Sequence, residues 1–104
     1  MEIRHETIIE VLSQVPLFNQ LRPFELKQNA GLFHPVVYQN GDLIFDLGDP
    51  AEALYVVYDG QVELLVDENE EAQPFARLGS GDIFGEEAIL YDDPRYYSAA
   101  ARGL

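Results

Sequence analysis

The stretch FGEEAILYDDPRYYSAAA (Phe84–Ala101) decides how the rest of the chain is read. It opens with Gly85 and a short run, Glu86 to Leu90, that can form one or two helical turns. Asp92, Asp93 and Pro94 break that run, and Arg95 follows ahead of a strand-like tail. A glycine-led turn into a helix leaves backbone N–H groups without intrahelical partners, a setting that suits an anion. Arg95, ten residues after Gly85, can return to the same point and grip a phosphate with its planar fork. Glu86, next to the glycine, is an acceptor for a sugar hydroxyl. These residues describe a site for a sugar phosphate. Arg95 is the only cation between Arg77 and Arg102, so no basic patch shares the work. Spacing leaves a second account open, in which Arg95 pairs with Asp92 or Asp93 and only fastens the loop.

Working outward, the sequence after Phe33 consists of short β-type runs bounded by turn residues. Pro35–Tyr38 and Leu43–Phe45 flank Asn40–Gly41, and Leu54–Tyr58 and Gln61–Val66 flank Asp59–Gly60. Both dipeptides are strong tight-turn signals. Phe75–Leu78, Ile83–Phe84 and Tyr96–Ala101 complete the set. Strands this short, with Gly-rich turns, predict a mainly β fold: a jelly-roll-like antiparallel double-stranded β-roll with two facing sheets. Asp67–Pro74 (DENEEAQP) reads as a solvated hairpin loop, and it lacks the glycine and ordered oxygens of an EF-hand.

Two helices are predicted ahead of the roll. Ile8, Ile9, Val11, Leu12 and Val15 share one face of Glu2–Gln14, and Pro16 ends that run. Pro23 suits the first position of a second helix, Phe24–Asn29, with Gly31 as its stop. Leu17, Phe18, Leu21, Phe24 and Leu26 form an apolar patch expected to dock these helices on the rest.

The 104 residues make one domain with a modest core. Without cysteine, disulfides and zinc–thiolate sites are excluded, which fits a reducing compartment and a cytoplasmic location. No apolar run approaches the ~18 residues of a membrane span, so no membrane contact is expected. Six basic residues against nineteen acidic ones give a net charge of −13. Affinity for nucleic acid comes from neutralising phosphates, so this balance argues against nucleic-acid contact. A small anion is a different case. The screening length is ~8 Å at physiological salt, so one arginine and a few amides govern their own neighbourhood.

Enzyme classes find little support. His5 and His34 are the only histidines and lie far apart, without HxH or HExxH spacing, so no metal cluster is expected. Ser80 sits between glycines in a turn and lacks the strand–elbow–helix context of a hydrolase nucleophile. Glu86 and Glu87 are adjacent, so a helix points them in different directions rather than at one reacting bond. A binding module remains.

Phe84–Ala101 resembles the phosphate-binding cassette of the cyclic nucleotide-binding domain family, whose pattern is FGE-x-A, a hydrophobic pair, a short loop, Pro-Arg, small residues and a strand. GDPAEALYVVYDGQVELLV (Gly48–Val66), LGSGDIFGE (Leu78–Glu86) and VPLFNQL (Val15–Leu21) match the family's other segments in order. Gly41, Gly48, Gly60, Gly79, Gly81 and Gly85 fall at the family's turns. The resemblance implies a helical lead-in over residues 1–31, a β-roll over 33–101 and a cassette over 84–98. It implies a cAMP or cGMP ligand, with no other cofactor and no metal. Arg95 would meet the cyclic phosphate, Glu86 would accept from the ribose 2′-hydroxyl, and the amides of Gly85, Glu86, Glu87 and Ala88 would line the sugar phosphate. Tyr96, Tyr97 and Ser98 would stand beside phosphate and base. The helical parts would shift on binding.

Two departures from the family pattern qualify the expectation. The family places small residues after the arginine, where this chain has Tyr96 and Tyr97. Small-to-large changes in a packed pocket commonly cost ~1–3 kcal/mol. Alternation along a strand, however, sends only one of two neighbours toward the pocket, where its ring can stack on a purine. The family also completes the roll with a further strand and helices beyond the point where this sequence ends. The expectation is a truncated sensory module, cut from or fused to a longer protein with an output element. An edge left unpaired would favour self-association. The alternative is a ligand-free interaction domain of the same roll, its pocket filled by Tyr96 and Tyr97.

Overall fold

The computed structural model describes residues 5–15, 21–69 and 71–103. The chain divides into two compact units between Val37 and Tyr38. In the first unit, α1 (His5–Ser13) packs against α2 (Pro23–Ala30). Leu12, Val15, Leu26 and Ala30 are buried, as the helical spacing of their apolar faces requires. Pro23 opens α2, and the Glu25 carboxylate accepts from the Arg22 N–H just ahead of it at 3.1 Å, half of a capping box. The predicted apolar patch divides: Leu26 is buried and Phe24 is exposed, while Leu17 and Phe18 lie outside the described residues.

The second unit holds β1 (Leu43–Phe45), β2 (Tyr55–Val56), β3 (Gln61–Glu68), β4 (Glu71–Leu78), β5 (Ile83–Phe84), α3 (Glu86–Leu90) and β6 (Ser98–Arg102). Pairing is antiparallel throughout, in a four-stranded sheet ordered β1-β6-β3-β4 and a two-stranded sheet of β2 and β5. The mainly β antiparallel roll with short helices is therefore present. Pro35–Tyr38, expected as a strand, has no strand pairing. Asp67–Pro74 is also not a loop: β3 and β4 pair through Glu68↔Glu71, and Asn69 takes the left-handed turn conformation (φ 54°). Asparagine tolerates that region, so the turn needs neither glycine nor proline to mark it. Pro74 is accommodated because β4 is an edge strand and the register shifts beside it, between Leu64 and Leu65. Strand β6, where the sequence nears its end, is paired on both sides. The open edges of its sheet are β1 and β4.

Alternation along the strands sends Val62 and Leu64 of β3 into a core with Phe45, Val57, Phe84, Tyr97 and Ala99. Phe45 is its hub, with ring centroids 5.8, 6.0 and 5.7 Å from Tyr55, Phe84 and Tyr97. The opposite face of β3 carries Glu63, which is buried yet bonded to Arg77 at 2.7 Å and to Arg102 at 2.8 Å. Those two cations hold its carboxyl below the usual carboxylate range, Arg77 contributing most. One carboxylate thus ties β4 and β6 to the strand between them.

Candidate functional site

Everything at the site meets at Gly85, where the chain leaves β5 and enters α3. Gly85 adopts φ 83°, ψ 4° and has no side-chain cap. A Cβ there would stand 2.7 Å from Arg95 Nη1, so both its conformation and its surroundings demand glycine. Arg95 Nη1 donates to the Gly85 carbonyl at 2.6 Å, and Nη2 donates to the Ala53 carbonyl. The guanidinium carbon lies 4.1 Å from the Phe45 ring centroid, within cation–π range. The arginine backbone is tied as firmly: its N–H donates to Asp49 O and its carbonyl accepts from Gly48 N–H, both at 2.9 Å. Arg95 is 5% exposed. Among the described residues it forms no ion pair with Asp92, Asp93 or any other carboxylate. The loop-fastening account of this arginine is not what the fold adopts.

Two buried polar atoms here lack any hydrogen-bond partner: Arg95 Nε, a donor, and Glu86 Oε2, an acceptor. Buried polar groups are nearly always satisfied, so each such atom calls for an explanation. Arg95 also borders a cleft of about 320 Å³ walled by Phe45, Tyr55, Ile44 and Pro50, with Asp49 and Glu52 among its lining residues.

The remaining predicted site residues divide. Ala88 is buried in α3. Tyr97 turns into the core, and its hydroxyl accepts from the Gly85 N–H at 2.9 Å and donates to Glu87 Oε2 at 2.9 Å. Burial, joined by the Glu87 carboxylate, pushes that hydroxyl well above its ordinary pKa. Tyr96 faces outward and donates to Asp93, which pushes its pKa up to about 12. The Ser98 hydroxyl serves the end of β1, donating to Asp46 Oδ1 at 2.7 Å and accepting from Leu47 N–H at 2.9 Å. Tyr96 is exposed and Tyr97 is packed in the core, so the picture of a pocket filled by Tyr96 and Tyr97 is not favoured. The sequence does not point to Phe45, Tyr55 or the Ala53 carbonyl as part of the site. Nothing in their spacing marks them, because only the fold brings them to Arg95.

The family model described as cyclic nucleotide-binding domain matches residues 35–103. The chain belongs to the cyclic nucleotide-binding domain family. The match spans the whole second unit short of its last residue, from ahead of β1 to beyond β6. Over 93 residues this cyclic nucleotide-binding domain is 38% identical to a cAMP-dependent protein kinase regulatory subunit of Blastocladiella emersonii, covering 88% of the chain and 23% of that protein. A type II regulatory subunit of Drosophila melanogaster is 32% identical over 94 residues, covering 90% and 25%. The domain spans about a quarter of the length of these curated relatives. Among solved structures, the regulatory domain of Toxoplasma gondii PKA with cAMP superposes with a TM-score of 0.90 at 27% identity, over 95% of this chain and 38% of that one. The regulatory subunit of a cAMP-independent protein kinase A from Trypanosoma cruzi, bound to guanosine, gives 0.86 at 27% identity over 95% and 36%. These relatives are named as regulatory subunits, not as catalytic ones.

Proposed function

We propose that this domain is the ligand-binding part of a cyclic nucleotide sensor, with cAMP or cGMP as its ligand. The observation that carries the proposal is the pair of partnerless buried atoms, Arg95 Nε and Glu86 Oε2. A cyclic phosphate accepts from the first and a ribose 2′-hydroxyl donates to the second. A buried guanidinium without a carboxylate is costly, and a diester anion supplies the missing charge. The first-turn amides of α3, at Glu86, Glu87 and Ala88, add donors for the phosphate, whereas the Gly85 N–H is already held by Tyr97. Tyr96, an exposed residue of the cassette, is the ring available to a purine. No residue here performs chemistry on the ligand. The module, roll 33–101 with cassette 84–98, reports binding to an output element in a longer cytoplasmic protein, or to a second copy through the open β4 edge. The cAMP-dependent relatives, of which it spans a quarter, favour cAMP.

Calorimetric titration of the chain with cAMP, cGMP and guanosine tests this. Binding of a cyclic nucleotide at micromolar or tighter affinity is expected, weakened at least about 100-fold in Arg95→Ala. No binding of either cyclic nucleotide, or an unchanged affinity in the variant, overturns the proposal. Preference for guanosine over both would remove the phosphate from the mechanism.

A further inference from the structure

Gly85 has the greatest backbone freedom of any residue type, and it stands where the chain turns from β5 into the helix that carries Glu86. Its two polar groups are gripped from one neighbouring segment. Arg95 takes the carbonyl at 2.6 Å, and Tyr97, two residues further on, takes the N–H at 2.9 Å. Since the Tyr97 oxygen accepts there, its single proton goes to the Glu87 carboxylate, 2.9 Å from Oε2. The ring is held independently, 5.7 Å from Phe45 and 5.6 Å from Phe75 between centroids. Rotation about either side of Gly85 breaks one of these bonds. Without the hydroxyl, the Arg95 bond alone of these two would remain on the glycine, and the same guanidinium must serve the ligand.

We propose that Tyr97 is a positioning residue for the cyclic nucleotide: its hydroxyl bridges Gly85 and Glu87 and so fixes the direction in which Glu86 meets the ribose. The inference rests on the cyclic nucleotide binding proposed above. It assigns Tyr97 no contact with the ligand, since the ring lies in the core and the hydroxyl is taken by Gly85 and Glu87. Its effect travels through Gly85 to Glu86. Burial and Glu87 both keep the hydroxyl protonated at neutral pH, so the bridge stands throughout the physiological range.

The test pairs Tyr97→Phe with a change in the ligand. Tyr97→Phe keeps the packed ring and removes only the oxygen. Binding of cAMP and of 2′-deoxy-cAMP is measured by calorimetry for both proteins. The wild type favours cAMP through Glu86, and the variant weakens cAMP about tenfold, in line with one buried hydrogen bond lost. The preference over the 2′-deoxy ligand narrows by about threefold or more, because the ribose acceptor is no longer held. A purely structural role weakens both ligands by one factor, and equal losses or no loss overturn the proposal. Should Tyr97→Phe not fold, Glu87→Ala removes the acceptor while the ring stays in place, and it must narrow the same preference or the proposal falls. Wild-type protein that binds neither ligand instead refutes nucleotide binding itself, a result visible before any variant is made.

Discussion

Replacing Arg95 with methionine separates what the guanidinium does for the fold from what it does for the ligand. The side chain is 5% exposed, with two carbonyl acceptors and a ring contact, but no counter-ion among the described residues. Arg95→Met leaves the buried Gly85 carbonyl unpaired, costing ~1–3 kcal/mol; the partly exposed Ala53 carbonyl regains water and costs less. Loss of the Phe45 contact adds ~0.5–2 kcal/mol. Against these stands relief from burying a lone cation, worth several kcal/mol. Methionine's flexible apolar chain fills much of the same space. The terms nearly cancel, so the variant without ligand should lie within ~1 kcal/mol of wild type, a shift of at most ~4–8 °C in Tm for a domain this size. Ligand changes the comparison. At 100 times its Kd a nucleotide stabilises wild type by ~2.7 kcal/mol, and Arg95→Met, with affinity about 100-fold weaker, should gain less than ~0.5 kcal/mol at the same concentration. Scanning calorimetry with and without cAMP at that concentration reads both quantities. A loss beyond ~3 kcal/mol in the absence of ligand would make the arginine a structural keystone, and an undiminished ligand shift in Arg95→Met would remove it from recognition.

Two further substitutions test neighbouring claims. Gly85→Ala forces a side chain into φ 83° and puts a Cβ 2.7 Å from Arg95 Nη1; it should cost ~1–3 kcal/mol in urea unfolding and weaken nucleotide binding, and wild-type stability would contradict it. Glu63 has its folded pKa lowered below the ordinary 4.5, chiefly by Arg77 and then Arg102, so its contribution is present above that value and lost as pH falls through the folded pKa. Glu63→Gln should therefore be the less stable protein at pH 7 and show the flatter decline from about pH 5 downward, measured as urea midpoints across pH.

Much of this fold is legible in the sequence because glycine and apolar alternation mark it. Gly60 and Gly81 take positive φ, as the turn signals at those points require. The Glu86–Leu90 helix is legible from its boundaries, with Gly85 before it and the Asp92–Pro94 break after it. The differences between pattern and fold have local causes. Val36 and Val37 look like a strand but stay more than half exposed, with no partner strand to bury them. Glu71 to Pro74 look like a loop because exposed edge positions carry polar residues and a proline. At the site, the types and order of Gly85, Glu86 and Arg95 are readable, but the direction of the arginine is not. Spacing also offers Asp93 to receive it, and in the fold that carboxylate takes the Tyr96 hydroxyl instead. The deciding acceptor, the Ala53 carbonyl, lies 42 residues away and is a backbone group that any residue would present. The role of Tyr97 is hidden in the sequence for a similar reason. A large residue at a position where the family prefers small ones reads as an obstruction, until alternation puts its ring in the core and its hydroxyl on Gly85.

The bonds around Arg95 also constrain how a ligand signal can leave this site. The residue already joins three segments: its backbone holds the Gly48–Asp49 turn, one nitrogen holds Ala53, and another holds Gly85 at the head of α3. Nε donates to nothing, and Nη1 and Nη2 each use one of their two N–H groups, so a phosphate can be bound there without breaking any of those links. Binding then adds to an arrangement that exists beforehand, and preorganisation of this kind favours affinity over movement. A ligand shifts a conformational equilibrium only through contacts that differ between its two states. Contacts made identically before and after binding contribute nothing to that difference. Any switching free energy must therefore arise where these links leave the chain unfixed. Within the described cassette that is the far end of α3, beyond the Tyr97–Glu87 bond, where Leu90 and Tyr91 are about three-quarters exposed.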